Sequence, residues 1–204
     1  DDFSRFSGSF PIVVNLASAC GNFTDIDGNV YESVTIGTQC WMKSNLNVSR
    51  YRNGDIIPQV TDPEVWSQLT TGAWCYYEHN SANGIVYGKL YNWYAVVDPR
   101  GLAPEGYHIP TNSEWSTLTT FLGGESVAGI KLKSVSGWQT PNLGATNESG
   151  FSALPAGVRW GSTPPNDFGH ISTGTYFWTS TSVTSSTSHA FNRAMYNYSN
   201  KCLL

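Results

Sequence analysis

With 204 residues, 40% apolar and 14% aromatic, the chain is long enough for one sizeable hydrophobic core and too apolar to stay disordered. Only 13% of residues are charged, so Ser, Thr, Asn and Gly must cover the surface, and a net charge of -4 without any Lys/Arg cluster excludes an electrostatic nucleic-acid binder. No stretch approaches the roughly 20 apolar residues of a membrane-spanning helix, so no membrane-spanning segment is expected.

The chain begins at Asp1 without a charged-then-apolar leader, which reads as a mature extracellular or cell-surface product with its signal segment removed. Residues 1–19 stand apart as an N-terminal extension. There Phe10, Ile12, Val14 and Leu16 alternate with Pro11, Val13, Asn15 and Ala17, the period of a strand with one apolar face. Two fates cover that face: the strand adds to an edge of its own domain, or it inserts into the next copy head-to-tail and builds a pilus-like filament.

The remaining residues, 20–204, read as one domain. After Cys20, Asp27-Gly28 forms a turn between Phe23-Thr24 and an arm running from Val30 through Val34 and Ile36 to Gly37. Asp25, Asp27 and Asn29 alternate like calcium ligands, but the position of the twelfth-residue Glu is held by Ile36, so the turn reading is preferred and no metal is expected. Asp62-Pro63 opens a short helix carrying Val65, Trp66 and Leu69 before Gly72. The clearest helix follows Thr111, which forms a capping box with Glu114; Trp115, Leu118 and Leu122 then recur at helical spacing until Gly123-Gly124, predicting a helix over 112–122. Short β-prone runs lie at 73–77, 90–95, 151–153, 176–180 and 189–195, between Gly, Pro and Asn clusters. The expected class is α+β, with short strands, one or two helices and long irregular loops.

Four cysteines, Cys20, Cys40, Cys75 and Cys202, lack metal-type spacing and are expected to be oxidised and structural. Of the three possible pairings, the reading favours Cys40–Cys75 with Cys20–Cys202; closing the first loop is worth about 4 kcal/mol in a chain-entropy account.

Catalysis would need convergent acids, bases or nucleophiles. His79, His108, His170 and His189 are scattered, and neither a zinc-protease helix motif nor a nucleophile elbow occurs, so the chain is expected not to be an enzyme and to need no cofactor. Carbohydrate binding competes with a purely structural role, because exposed aromatic rings stack on apolar sugar faces while amides and carboxylates take the hydroxyls. The candidate glycan-binding residues are Trp138, Trp160, Asn166, Asp167, Tyr176 and Trp178, all in or near the later Gly/Pro-rich loops. Expected partners are surface glycans or further copies of the chain.

Several motifs occur together in order: Thr24-Asp25-Ile26-Asp27-Gly28-Asn29-Val30-Tyr31, Ile36-Gly37-Thr38-Gln39-Cys40-Trp41-Met42-Lys43-Ser44-Asn45-Leu46, Tyr87-Gly88-Lys89-Leu90-Tyr91-Asn92-Trp93, Pro104-Glu105-Gly106-Tyr107-His108-Ile109-Pro110 and Gly150-Phe151-Ser152-Ala153-Leu154-Pro155-Ala156-Gly157. In these the chain resembles the Fibrobacter succinogenes major paralogous domain, a family of bacterial extracellular and lipoprotein modules. It departs from that pattern at Ala103, where many relatives carry Cys, and at its end, where the family's final Ser-Val-Arg-Cys strand is not seen. The stretch from His108 to Trp115 is also similar to the helix entry of formylglycine-generating enzymes, implying a C-type-lectin-like mixed fold. Together these resemblances imply a non-enzymatic surface protein for adhesion or assembly, or else a lectin-like module.

Overall fold

A computed structural model describes residues 7–9, 13–14, 20–161, 167–182 and 190–204. Its first strands are two residues each, β1 (Ser7–Gly8) and β2 (Val13–Val14). β3 (Phe23–Thr24) and β4 (Val30–Tyr31) flank the expected Asp-Gly turn, and β5 (Ser33–Ile36) with β6 (Gln39–Met42) makes a second hairpin. The single arm expected from Val30 to Gly37 is thus two strands. The break at Glu32 sends Tyr31 to one hydrophobic cluster and Ile36 to another.

Asp62 caps α1 (Pro63–Ser67), its Oδ1 accepting from the Glu64 and Val65 amides at 2.8 and 2.9 Å. This helix buries Trp66, leaves Val65 exposed and stops well before Gly72. β7 (Trp74–Cys75), a 3-10 turn at Tyr77–His79, α2 (Ser81–Tyr87), β8 (Leu90–Asn92), α3 (Trp93–Val96) and β9 (Tyr107–His108) come next. α4 (Asn112–Phe121) has both halves of the predicted capping box, and α5 (Glu125–Leu132) follows directly. β10 (Ala156–Arg159), β11 (Phe168–Ile171), β12 (Gly174–Ser182) and β13 (Ala190–Tyr196) complete the α+β chain.

Among the described residues five α-helices stand where one or two were expected. α2 lacks an amphipathic pattern: Gly84 is its buried residue, while Ile85 and Val86 are exposed. Residues 151–153 form no strand, only a single bridge from Ala153 to Lys133, and the 90–95 run splits into β8 and α3 because Asn92 caps the helix through the Ala95 amide.

The larger sheet runs β13-β12-β10-β1-β8-β7, with β11 also on β10; the smaller runs β5-β6-β2-β9. Both N-terminal strands are therefore internal. Ser7 is in register with Asn92 on one side and Arg159 on the other, and Val14 with Cys40 and Tyr107. Gly8 permits the insertion, since a Cβ there would meet the Tyr176 carbonyl oxygen at 2.6 Å. The arm thus joins its own domain, between strands rather than at an edge. Phe10, Ile12 and Leu16 lie outside the described residues.

α4 and α5 cover one hydrophobic cluster, in which Trp115 stacks on Phe177 at 5.6 Å and meets Trp41 at 4.9 Å, with Leu118 and Met195 alongside. A second cluster gathers Tyr51, Trp74, Tyr91, Trp93 and Trp178. Five tryptophans are fully buried, so aromatic burial rather than aliphatic packing carries much of the core.

The cysteine pairing differs from expectation. Cys20 and Cys40 form the disulfide, while Cys75 and Cys202 are free and buried. Cys75 sits on β7 among Trp66, Tyr77 and Leu90, in a different sheet from Cys40, and Cys202 belongs to the cluster beneath α4. Loop length scores what a closed bridge is worth and says nothing about which strands face each other, which is why it selected the wrong partners. Burial pushes both free thiols up to about 12, leaving them unreactive packing groups.

Candidate functional site

Two features of the surface carry chemistry. The first is an aromatic corner built from the ends of β10 to β13. Trp160 follows β10, His170 lies on β11, Tyr176 on β12 and Tyr196 on β13, with Tyr198 just beyond. Trp160 is 5.6 Å from His170 and 5.8 Å from Tyr176, centroid to centroid, both nearly edge-on. His170 lies 5.8 Å from Tyr196, the Tyr176 and Tyr196 hydroxyls share a 2.9 Å hydrogen bond, and Tyr198 stacks on Tyr196 at 5.2 Å. Gly169 is the residue that lets the indole lie there, because a Cβ would meet Trp160 Nε1 at 2.8 Å.

The corner is graded in depth. Tyr176 is 6% exposed, Trp160 37% and Tyr198 62%, so buried rings hold exposed ones in fixed orientation. Burial lowers His170 below the usual histidine range, which favours the neutral ring with one donor and one acceptor nitrogen. Burial and then the bond to Tyr196 raise Tyr176 far above the ordinary tyrosine value, so it stays protonated.

Of the predicted glycan-binding residues, Trp160 and Tyr176 meet in this corner and the other described ones do not. Trp138 is 9% exposed and donates from Nε1 to the Ala153 carbonyl at 2.9 Å; Trp178 is 1% exposed and donates to the Tyr91 carbonyl at 3.1 Å. Both are core. Asp167 is buried against Arg159, whose Nε lies 2.8 Å from its Oδ2; Arg159 also donates to the Val60 and Thr61 carbonyls and lies over Trp66 at 4.3 Å. That carboxylate balances a buried cation through Oδ2, and its Oδ1 is buried with it, away from any sugar-binding surface. Asn166 lies outside the described residues. The sequence reading missed His170, Tyr196 and Tyr198. The last two were legible as an alternating pair at the end of a strand; His170 was not, because only the antiparallel pairing of β11 with β10 brings it beside Trp160.

The second feature is a cleft of about 610 Å³ between the β3–β4 turn and the segment around Tyr76 and Lys89. Asp27 and Asn29 line the turn side, and buried Asp25 behind them holds the turn together. Its Oδ1 accepts from the Asp27 and Asn29 amides, both at 2.9 Å, and its Oδ2 from Asn29 Nδ2 at 2.8 Å and the Tyr31 hydroxyl at 2.7 Å. Those bonds bear out the turn reading of this acidic stretch. Lys89, 4% exposed, lines the cleft and donates to the Asn47 carbonyl, with its Nζ 4.6 Å from the Trp74 ring centroid. Burial lowers its pKa, opposed by the charges of Asp27 and Asp25. Asp25, Asp27 and Asn29 were legible in sequence as a turn, but not as part of a cleft with Lys89, since only the fold joins a turn at 25–29 to a lysine at 89.

No group of three or more His, Cys, Asp or Glu side chains among the described residues is arranged to hold a metal ion. No described helix is long and apolar enough to cross a membrane. No curated protein and no solved structure matches the chain. The family model of the Fibrobacter succinogenes major domain matches residues 34–203, most of the chain, and the protein therefore belongs to that bacterial family.

Proposed function

We propose that the chain is a non-catalytic bacterial surface module that binds carbohydrate on its aromatic corner and serves adhesion. The observation that carries this reading is the pairing of an exposed indole, Trp160, with an exposed phenol, Tyr198, over a hydrogen-bonded base of buried Tyr176 and partly buried Tyr196. A rigid ring stacks on the apolar face of a sugar at little entropic cost, and His170 with the tyrosine hydroxyls offers donors and acceptors to sugar hydroxyls. The Cys20–Cys40 disulfide is compatible with an oxidising, extracellular setting. A glycan array tests it. Saturable binding by the intact chain, lost on Trp160→Ala and on Tyr198→Ala with melting unchanged, is the expected result; no binding to any glycan, or binding indifferent to both changes, removes the proposal.

Head-to-tail assembly through the N-terminal arm has less behind it. Residues 7–8 and 13–14 already have strands of their own chain on both sides, so a donated strand would have to displace them.

A further inference from the structure

The cleft beside the β3–β4 turn has a chemistry that the aromatic corner lacks. An ammonium carries three donors, and Lys89, though buried, has one protein acceptor, the Asn47 carbonyl, and no carboxylate within ion-pair distance among the described residues. The rings of Trp74 and Tyr76, with centroids 4.6 and 5.9 Å from Nζ, are its other protein neighbours, so among the described residues no second oxygen acceptor meets the charge on the wall of the cleft. In the same wall Asn47 Oδ1 is buried without a donor. At the mouth stands half-exposed Arg50, 3.6 Å from Asp27 Oδ1.

These groups ask for two kinds of ligand atom at once. Lys89 calls for an anion, which Arg50, already facing Asp27, can share at the rim; Asn47 Oδ1 calls for a hydrogen-bond donor, and Asp27, whose Oδ2 accepts from the Ser49 amide, keeps Oδ1 for another. Phosphate answers the first need but brings more negative charge against Asp27 than a carboxylate does, and offers Asn47 little. A carboxylate on a ring bearing hydroxyls answers both, and about 610 Å³ lies within the roughly 300–1,000 Å³ of small-molecule sites. We infer that the cleft is a binding site for an acidic sugar of the uronic acid class, with its carboxylate on Lys89 and Arg50 and its hydroxyls on Asn47 and Asp27. The site shares no residue with the aromatic corner, so it stands or falls separately from the function proposed above.

Calorimetric titration of the intact chain with glucuronate, glucose and inorganic phosphate tests it. Glucuronate should bind saturably, phosphate more weakly and glucose not at all. Lys89→Met should weaken glucuronate binding by at least about tenfold, the loss of one charge-assisted bond. Arg50→Ala changes only the exposed rim and should weaken binding a few-fold, while Trp160→Ala should leave it unchanged. Absence of glucuronate binding, phosphate binding as tight as glucuronate, undiminished affinity in folded Lys89→Met, or loss of binding in Trp160→Ala each overturns the inference. Should Lys89→Met not melt cooperatively, Arg50→Ala decides, and unchanged affinity there overturns it.

Discussion

Two lysines are buried in this fold, and the molecule treats them differently. Lys133, just past α5, is 0% exposed and spends all three donors, on the carbonyls of Leu143, Tyr196 and Ser199 at 3.1, 3.1 and 2.9 Å. Lys89, just before β8, has one carbonyl and a cleft. Burial pushes Lys133 down to about 8 and lowers Lys89 as well, so desolvation alone does not separate them. What separates them is the number of acceptors. A cation with three carbonyls ties an irregular loop and the end of a β-strand to a helix, which is structural work. A cation with one carbonyl is unfinished until something else arrives, which is the condition of a binding site.

That contrast can be broken first at Lys133. Lys133→Met takes the donor from the Leu143 and Ser199 carbonyls, while the Tyr196 carbonyl keeps the Ser199 amide at 3.2 Å, and should cost about 2 kcal/mol or more, lowering Tm by roughly 4 °C or more. Thermal melts of this variant beside Lys89→Met give the direct comparison; equal losses would mean that the count of acceptors does not distinguish the two sites.

A smaller effect is expected at the entry to α4, on the same well-satisfied side. Thr111→Ala removes the cap accepting from the Glu114 amide and should cost about 1 kcal/mol. Burial would raise the Glu114 carboxyl, but hydrogen bonds with His108 at 2.7 Å and from the Thr111 amide and hydroxyl hold it below its usual value. A folded pKa below the unfolded one stabilises above the ordinary glutamate value of about 4.3, and that gain is lost as pH falls through the folded value. Stability measured across acidic pH should therefore fall less steeply in Glu114→Gln; an unchanged slope would contradict the assignment.

The smallest stability change is expected at Lys89 itself. Its loss leaves the Asn47 carbonyl with the Asn29 side chain as donor at 3.3 Å and relieves the desolvation of a charge, so Lys89→Met should melt within about 1 kcal/mol of the parent. A much larger loss would make Lys89 structural after all, like Lys133.

Local chemistry made parts of this fold legible in advance. Asp62-Pro63 and the Thr111–Glu114 box place helix starts because an N-terminus must satisfy its own free amides within a few residues. The Asp25–Asn29 turn follows equally from side-chain-to-backbone bonds spanning four residues. α2 escaped notice because its packing rests on a glycine, not on an apolar stripe.

Of the candidate site, the sequence by itself supplied Trp160 and Tyr176 as aromatic residues near strand ends, and no means to tell them from Trp138 and Trp178, which are core. Only the tertiary structure decided that, together with the disulfide partner of Cys40 and the internal position of the N-terminal strands. Each depends on which strands become neighbours across long separations, as in the register of Ser7 with Arg159. Local propensity is blind to such contacts, because their energy comes from packing and pairing that exist only once the sheets are closed.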